Sequence, residues 1–299
     1  VLFRSEREAF RRQLYRESLD ELLAENGGSI VPGLEMKDGW AMDRSGTLPH
    51  LDRLLEQCDR IIEGRSGTRV KEGTSYRSYF QDILDYDSDP GAYPGILDFA
   101  TSSALLSVIA RHVQSIPVLS TTLPSGIRLI ESNAKFDDRP DAPHDSQLYH
   151  IDYYALPLIY VIVLCRDTTI QNGPWTFLPR SISQNVREKL GYWRHGRGYR
   201  LTDEEVYSIA DRSQAIEFTY PRGTVLFIES SGCLHYGSRN SVIPRFQFML
   251  AYTGICRTDF SEFYMKQKVL PVGQGDSRLR RMVLDKGVRA QDLVAHPRP

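Results

Sequence analysis

The chain changes character near residue 116, and that change limits the folds open to it. Beyond it come short runs rich in β-branched and aromatic residues: Ile127 to Ala134, Gln147 to Tyr154, Leu158 to Arg166, Trp175 to Leu178, Ala215 to Tyr220, Thr224 to Glu229 and Phe246 to Tyr252. Turn formers part them, among them Asn172-Gly173-Pro174, Pro221-Arg222-Gly223, Ser231-Gly232 and Ile243-Pro244, as expected between strands. Before residue 116 the spacing is helical. Phe10, Leu14, Leu19, Leu22 and Leu23 recur within Glu6 to Glu25, ahead of Gly27-Gly28; Leu51 to Ile62 repeats the pattern; Ile96 to Val113 follows Pro94-Gly95. Strands after a helical half predict a mainly β fold with α, a jelly roll or sandwich with helices packed outside it, largely from the N-terminal part. No linker forces a boundary, so 1–299 reads as one domain. It divides into a mainly helical portion (1–115), a jelly-roll core (116–255) and a C-terminal helix and tail (256–299).

Composition narrows the function. The chain has 299 residues, 41% of them apolar, ample for a buried core. Its net charge of −1 argues against nucleic acid or a membrane engaged through bulk charge. Cys58, Cys165, Cys233 and Cys256 lack CxxC spacing, so no zinc ribbon or thioredoxin-like motif is expected, and a reducing cytoplasm suits them. Val1-Leu-Phe-Arg-Ser-Glu is charged within its first residues, so no secretory leader is expected, and it carries no initiator Met, which leaves open whether the N-terminus is complete. The longest apolar run, Tyr153 to Cys165, is too short to span a bilayer. There is no GxxxxGK[ST] and no GxSxG; Gly273-Gln-Gly275 and Gly196-Arg-Gly198 lack the further glycines of a dinucleotide site.

One constellation carries chemistry. His150-x-Asp152 falls in a strand-like run, where residues two apart share a face. His235 recurs downstream in His235-Tyr-Gly-Ser-Arg-Asn240, past the Val225–Glu229 strand, with Arg245 behind it. Two imidazoles and one carboxylate form the facial ligand set of mononuclear non-haem Fe(II) oxygenases, which leaves open positions for a keto acid and O₂. Arg245 supplies a planar, permanently charged fork for a carboxylate, with Arg239 as a rival. His144 lies in a Pro- and Asp-rich stretch and reads as a surface residue; His195 lies in a Gly/Arg-rich segment and does not read as a ligand.

Gln147-Leu-Tyr-His150-Ile-Asp152, then Asn172-Gly173-Pro174-Trp-Thr-Phe-Leu-Pro179-Arg-Ser181, then His235-x-Gly237-x-x-Asn240-Ser241-x-x-x-Arg245 resemble the phytanoyl-CoA dioxygenase family. The resemblance covers about residues 95 to 255. It implies a double-stranded β-helix (jelly roll, cupin-like), Fe(II) held by His150, Asp152 and His235, and 2-oxoglutarate gripped at its distal carboxylate by Arg245. Pro179-Arg180-Ser181 departs from the Gly-Ser-His that ends this segment in many relatives. Relatives that halogenate replace the carboxylate ligand with Ala or Gly; Asp152 is present, which implies a hydroxylase that releases succinate and CO₂. Desaturation, cyclisation or demethylation by the same cofactors, and a non-catalytic cupin-like binding protein, remain alternatives. The substrate is expected to be a small organic molecule. Arg180, Arg187, Lys189, Arg194, Arg197 and Arg200, with Trp193 among them, suggest either a lid that meets an anion or a solvated loop. Tyr154 shares strand parity with the ligands, so Tyr154 and Trp193 are the candidate substrate-lining residues.

Overall fold

The computed structural model describes residues 9, 13–20, 22–23, 31, 33–68, 77–84, 90–196, 198–254 and 270–285. Cys256, Arg197, the Gly27-Gly28 pair and much of the 256–299 tail lie outside them. Residues 13–20 and 22–23 are helical, as the apolar spacing predicts, and bury Tyr15, Leu19 and Leu22. The Tyr15 hydroxyl donates to the Met282 carbonyl at 2.8 Å, which ties this segment to a C-terminal helix, Arg278–Asp285.

Strand β1 (Trp40–Asp43) is followed by helix α1 (Leu51–Arg65). Helix α1 buries Leu51, Leu54, Leu55, Cys58, Ile61 and Ile62, one stripe at three- and four-residue spacing. Asp52 in its first turn and Arg65 in its last complement the helix dipole. Strand β2 (Phe80–Asp82) precedes α2 (Pro94–Ala100), which opens on a proline at its first turn, and α3 (Ser103–Val113), which is buried over most of its surface. The portion expected to be mainly helical thus also gives two strands. Among the described residues no single helix is long and apolar enough to cross a membrane; α2 and α3 together form an apolar pair bent by 41°, buried in the core.

The remaining strands are β3 (Val118–Leu119), β4 (Ile127–Ser132), β5 (Leu158–Leu164), β6 (Thr176–Phe177), β7 (Ile216–Glu217), β8 (Val225–Glu229), β9 (His235–Tyr236) and β10 (Arg245–Thr253). Two helices interrupt them, α4 (Arg180–Leu190) and α5 (Asp203–Tyr207), and α6 (Arg278–Asp285) follows. Among the described residues a seven-stranded antiparallel sheet runs β1-β8-β5-β10-β4-β2, with β3 added to β10, and a three-stranded sheet runs β7-β6-β9. Period-two alternation splits the large sheet between two cores. Ile159, Val161, Val163, Phe227, Phe248 and Leu250 face the helices. Leu158, Tyr160, Ile162, Leu226, Ile228 and Met249 face the small sheet, where Phe177 of β6 joins them. Burial on both faces explains why β5 is apolar at every position.

The run from Gln147 to Tyr154 is not a ladder strand. Only Tyr149 and His150 form bridges, to Leu201 and His235 respectively, and Asp152 lies in irregular backbone. The 180–200 segment, read from its charges as a lid or a solvated loop, begins with helix α4. Ser183 and Val186 face inward and Arg180 pairs with Glu229 at 3.0 Å.

Candidate functional site

Strand β9 carries His235, and its register sets Phe177 opposite that histidine. His150 pairs with the other side of His235 through two backbone hydrogen bonds, 3.0 and 2.9 Å. Asp152 N–H donates to the Ser230 carbonyl at 3.0 Å, which turns the chain so that the Asp152 carboxylate reaches the same point. The ligand atoms of His150, Asp152 and His235 lie within 4.8 Å of one another. The His235 Nε2 is 3.3 Å from Asp152 Oδ2, and the two imidazole centres are 4.4 Å apart.

Hydrogen bonding fixes both ring tautomers. His150 Nδ1 lies 2.8 Å from the Leu148 carbonyl and His235 Nδ1 lies 2.9 Å from the Cys233 carbonyl. A carbonyl only accepts, so each Nδ1 carries the proton and each Nε2 presents a lone pair to the centre. The indole of Trp175 stacks on His235 at 4.5 Å and 8°, which fixes its ring plane. Burial, with the neighbouring His235, holds the His150 imidazole well below its ordinary value. Burial alone would raise Asp152; the imidazoles of His235 and His150 and the Arg77 guanidinium around it outweigh that and hold the carboxyl well below the usual range. Asp152 is thus an anion and His150 a neutral donor, the protonation states that a divalent metal needs.

The three side chains line a cavity that Arg245 also lines. Arg245 opens β10 opposite Ser132 of β4. It is 2% exposed. Its guanidinium donates to the Gly173 carbonyl and, at 3.1 Å each, to the Ser132 and Ser238 hydroxyls, while Nε has no partner. No carboxylate faces it among the described residues, and burial pushes it down to about 9. A buried guanidinium held only by neutral acceptors is short of an anion. Gly173 and Gly237 make room for this arrangement. Gly173 sits at φ 59°, and a Cβ there would lie 2.3 Å from Ser241 Oγ; one on Gly237 would come within 3.2 Å of Trp175.

The other expected residues fall elsewhere. Arg239 is occupied: it forms an ion pair with Asp203 at 2.9 Å and lies 3.4 Å over the Tyr236 ring. His144 is not the surface residue its loop suggests. It is held between Asp137 (3.0 Å) and Asp145 (2.9 Å), which outweigh burial and raise its pKa. His195 is exposed. Tyr154 stacks on Tyr153 at 5.8 Å, and Trp193, 56% exposed, borders a hollow with Arg187 and Tyr192; neither is among the residues that line the cavity. Trp175, Ser132 and Ser238, which brace the histidine and the arginine, and Arg77 and Arg128 in the cavity wall, are not singled out by sequence motif. The alternation Arg128-x-Ile130-x-Ser132 is the signal that points to two of them.

No family model and no curated protein matches this sequence. Solved structures do match it in part. The apoform of EctD from S. alaskensis is 15% identical, over 73% of this chain and 74% of its own, with a TM-score of 0.47. The epimerase SnoN, in complex with Fe3+, alpha ketoglutarate and nogalamycin RO, is 13% identical over 80% and 84%, with a TM-score of 0.47. The non-heme alpha ketoglutarate dependent carbocyclase SnoK from nogalamycin biosynthesis is 11% identical over 79% and 90%, with a TM-score of 0.47. Likeness at that level settles neither fold nor chemistry. The functional case rests on the side chains of the cavity.

Proposed function

We propose that this chain is an Fe(II)- and 2-oxoglutarate-dependent dioxygenase that hydroxylates a small organic molecule. We read the fold as a double-stranded β-helix of the phytanoyl-CoA dioxygenase type and 1–299 as one oxygenase domain. The observation that carries the reading is the juxtaposition in one cavity of a His-Asp-His donor set and a buried arginine without an acid partner. A metal site alone fits many proteins; an anion-seeking guanidinium beside it fits a metal-chelating dicarboxylate.

The residues fit the group. His150 Nε2, His235 Nε2 and the Asp152 carboxylate would hold the metal, two neutral imidazoles and one anion on one side of it. Bound iron would supply the activation of O₂, coupled to decarboxylation of the keto acid to succinate and CO₂. Arg245 binds the distal carboxylate, and Ser132 and Ser238 orient its fork. Trp175 keeps the His235 plane fixed while ligands exchange. Tyr160, buried and next to Asp152, has its pKa pushed far up and remains a neutral wall of the cavity. Ile130 and Met249 continue that wall and exclude water from the reacting end. A reducing, cytoplasmic setting belongs to the same reading; Cys58, Cys165 and Cys233 are buried free thiols.

The test is anaerobic. Fe(II) and then 2-oxoglutarate are added to the apoprotein, and the weak visible band of the metal–keto acid chelate is followed. A band in the wild type that is lost in Asp152→Ala supports the reading. Absence of the band, together with no retained iron, refutes it.

A further inference from the structure

Arg245 lies at one end of a row that ends in other cations. On β4 the residues Arg128, Ile130 and Ser132 share a face. In register with β10, Ser132 is opposite Arg245, Ile130 opposite Gln247 and Arg128 opposite Met249; on the other side, Phe80 of β2 is opposite Ser132. The Phe80 ring holds two guanidiniums, Arg77 at 5.8 Å and Arg128 at 5.5 Å from its centre. Phe80, Arg77 and Arg128 all line the cavity that contains the His-Asp-His set.

Arg128 is only partly satisfied. Its Nε donates to Asp82 Oδ2 at 3.1 Å, and its terminal nitrogens have no hydrogen bond to a described residue. The other oxygen of Asp82 is taken by the backbone amides of Leu129 (3.1 Å) and Leu84 (3.4 Å). Asp152 is the one acid among the described residues that line the cavity, and it belongs to the donor set. Two guanidiniums thus share one aromatic ring in the cavity wall, and an oxyanion between them would gain a charge-assisted contact from each. The stretch between these cations and the histidines is apolar: Ile130, Tyr160, Trp175 and Met249.

We propose that Arg128 and Arg77, set on Phe80, form a second anion subsite, and that the molecule oxidised in this cavity is an organic acid with an apolar body and a terminal carboxylate or phosphate. Oxidation of that acid rests on the oxygenase reading above; the subsite itself does not. Arg245 takes the co-substrate, Arg128 and Arg77 take the acid end of the substrate, and the apolar wall receives its body, with the bond to be attacked held facing the donor set.

Ligand-observed NMR on the metal-free protein tests this with 3-phenylpropanoate, 2-phenylethyl phosphate and the neutral 3-phenylpropanamide as probes. One or both anions should bind about tenfold more tightly than the amide, the difference that one charge-assisted hydrogen bond supports. The preference should persist in Arg245→Met and vanish in the Arg77→Gln/Arg128→Gln double variant; which anion is preferred separates carboxylate from phosphate. An amide that binds as well as both anions, or no binding by any probe, overturns the proposal. So does a preference that survives the double variant or disappears in Arg245→Met alone. If the double variant does not fold, single Arg77→Gln, checked by its melting curve, must weaken the preference. The oxygenase reading fails independently, by absence of the iron–keto acid band in the wild type.

Discussion

Replacing Arg245 with methionine should leave the ligand-free protein as stable as the wild type or more so, while removing its response to 2-oxoglutarate. Burial pushes the guanidinium from its ordinary 12.5 to about 9, equivalent to about 5 kcal/mol against the charged form. Its three donated hydrogen bonds, at about 1.5 kcal/mol each, offset most of that figure and leave the buried charge close to break-even. Methionine fills much of the same volume and strands none of the acceptors. Ser132 and Ser238 keep their mutual bond of 2.8 Å, and the Gly173 carbonyl keeps the Ser238 amide at 3.1 Å. Buried ion groups replaced by apolar ones leave stability unchanged or raised by about 1–4 kcal/mol, and for a chain of this size 1 kcal/mol moves the melting temperature by about 2 °C. In the wild type, 2-oxoglutarate at a hundred times its dissociation constant adds about 2.7 kcal/mol; in the variant it adds nothing. Thermal melts of both proteins with a divalent metal, with and without 2-oxoglutarate, therefore cross over. A variant that melts more than about 5 °C below the wild type, or that keeps the 2-oxoglutarate shift, refutes the view of Arg245 as a carboxylate receptor held at a cost.

Three further outcomes follow from the same site. His150 is held neutral by burial and by His235, so its contribution to stability is complete above pH 6.5 and is lost as pH falls from there through its depressed folded value; melts of the ligand-free protein from pH 7 to pH 4.5 should slope less steeply in His150→Gln than in the wild type, and parallel slopes would count against that burial. Trp175→Ala frees the His235 ring and should weaken iron binding about tenfold, measured by competition with a chromophoric chelator, whereas Trp175→Phe retains most of the affinity; equal loss in both would assign Trp175 a role other than stacking. Gly173→Ala forces a Cβ to within 2.3 Å of Ser241 Oγ and 2.5 Å of the Arg239 carbonyl at a left-handed φ, at a cost of about 1–3 kcal/mol. It also displaces the carbonyl that receives Arg245, so the 2-oxoglutarate shift and the melting temperature should fall together.

That His150, Asp152 and His235 form one cluster was legible because such a donor set is written in residue type and order. The local geometry was not. His150 and Asp152 converge, yet not through strand parity. His150 is pinned by a single bridge to His235, and Asp152 is turned inward by its amide bond to Ser230, a contact between positions far apart in sequence. The 180–200 segment invites a reading by charge, but the helix there is carried by Ile182, Val186 and Leu190 at four-residue spacing. Strands β2, β3 and β9 have two or three residues each and form because a neighbour offers an open edge, so no local pattern announces them.

Arg128 shows the same limit from the side of function. The strand around it is evident from Ile127, Leu129 and Ile130, and parity joins Arg128 to Ile130 and Ser132. Parity does not say which face meets the metal donors. That is settled by register: Ser132 stands opposite Arg245, so the face that carries Arg245 must also carry Arg128. A slip of one residue would send Arg128 to the helical core, where a guanidinium has no partner. The pairing of β4 with β10 therefore fixes the fold's register and the charge of the cavity together. On the proposed reading, co-substrate binding by Arg245 and selection among acids by Arg128 are then two consequences of one sheet alignment.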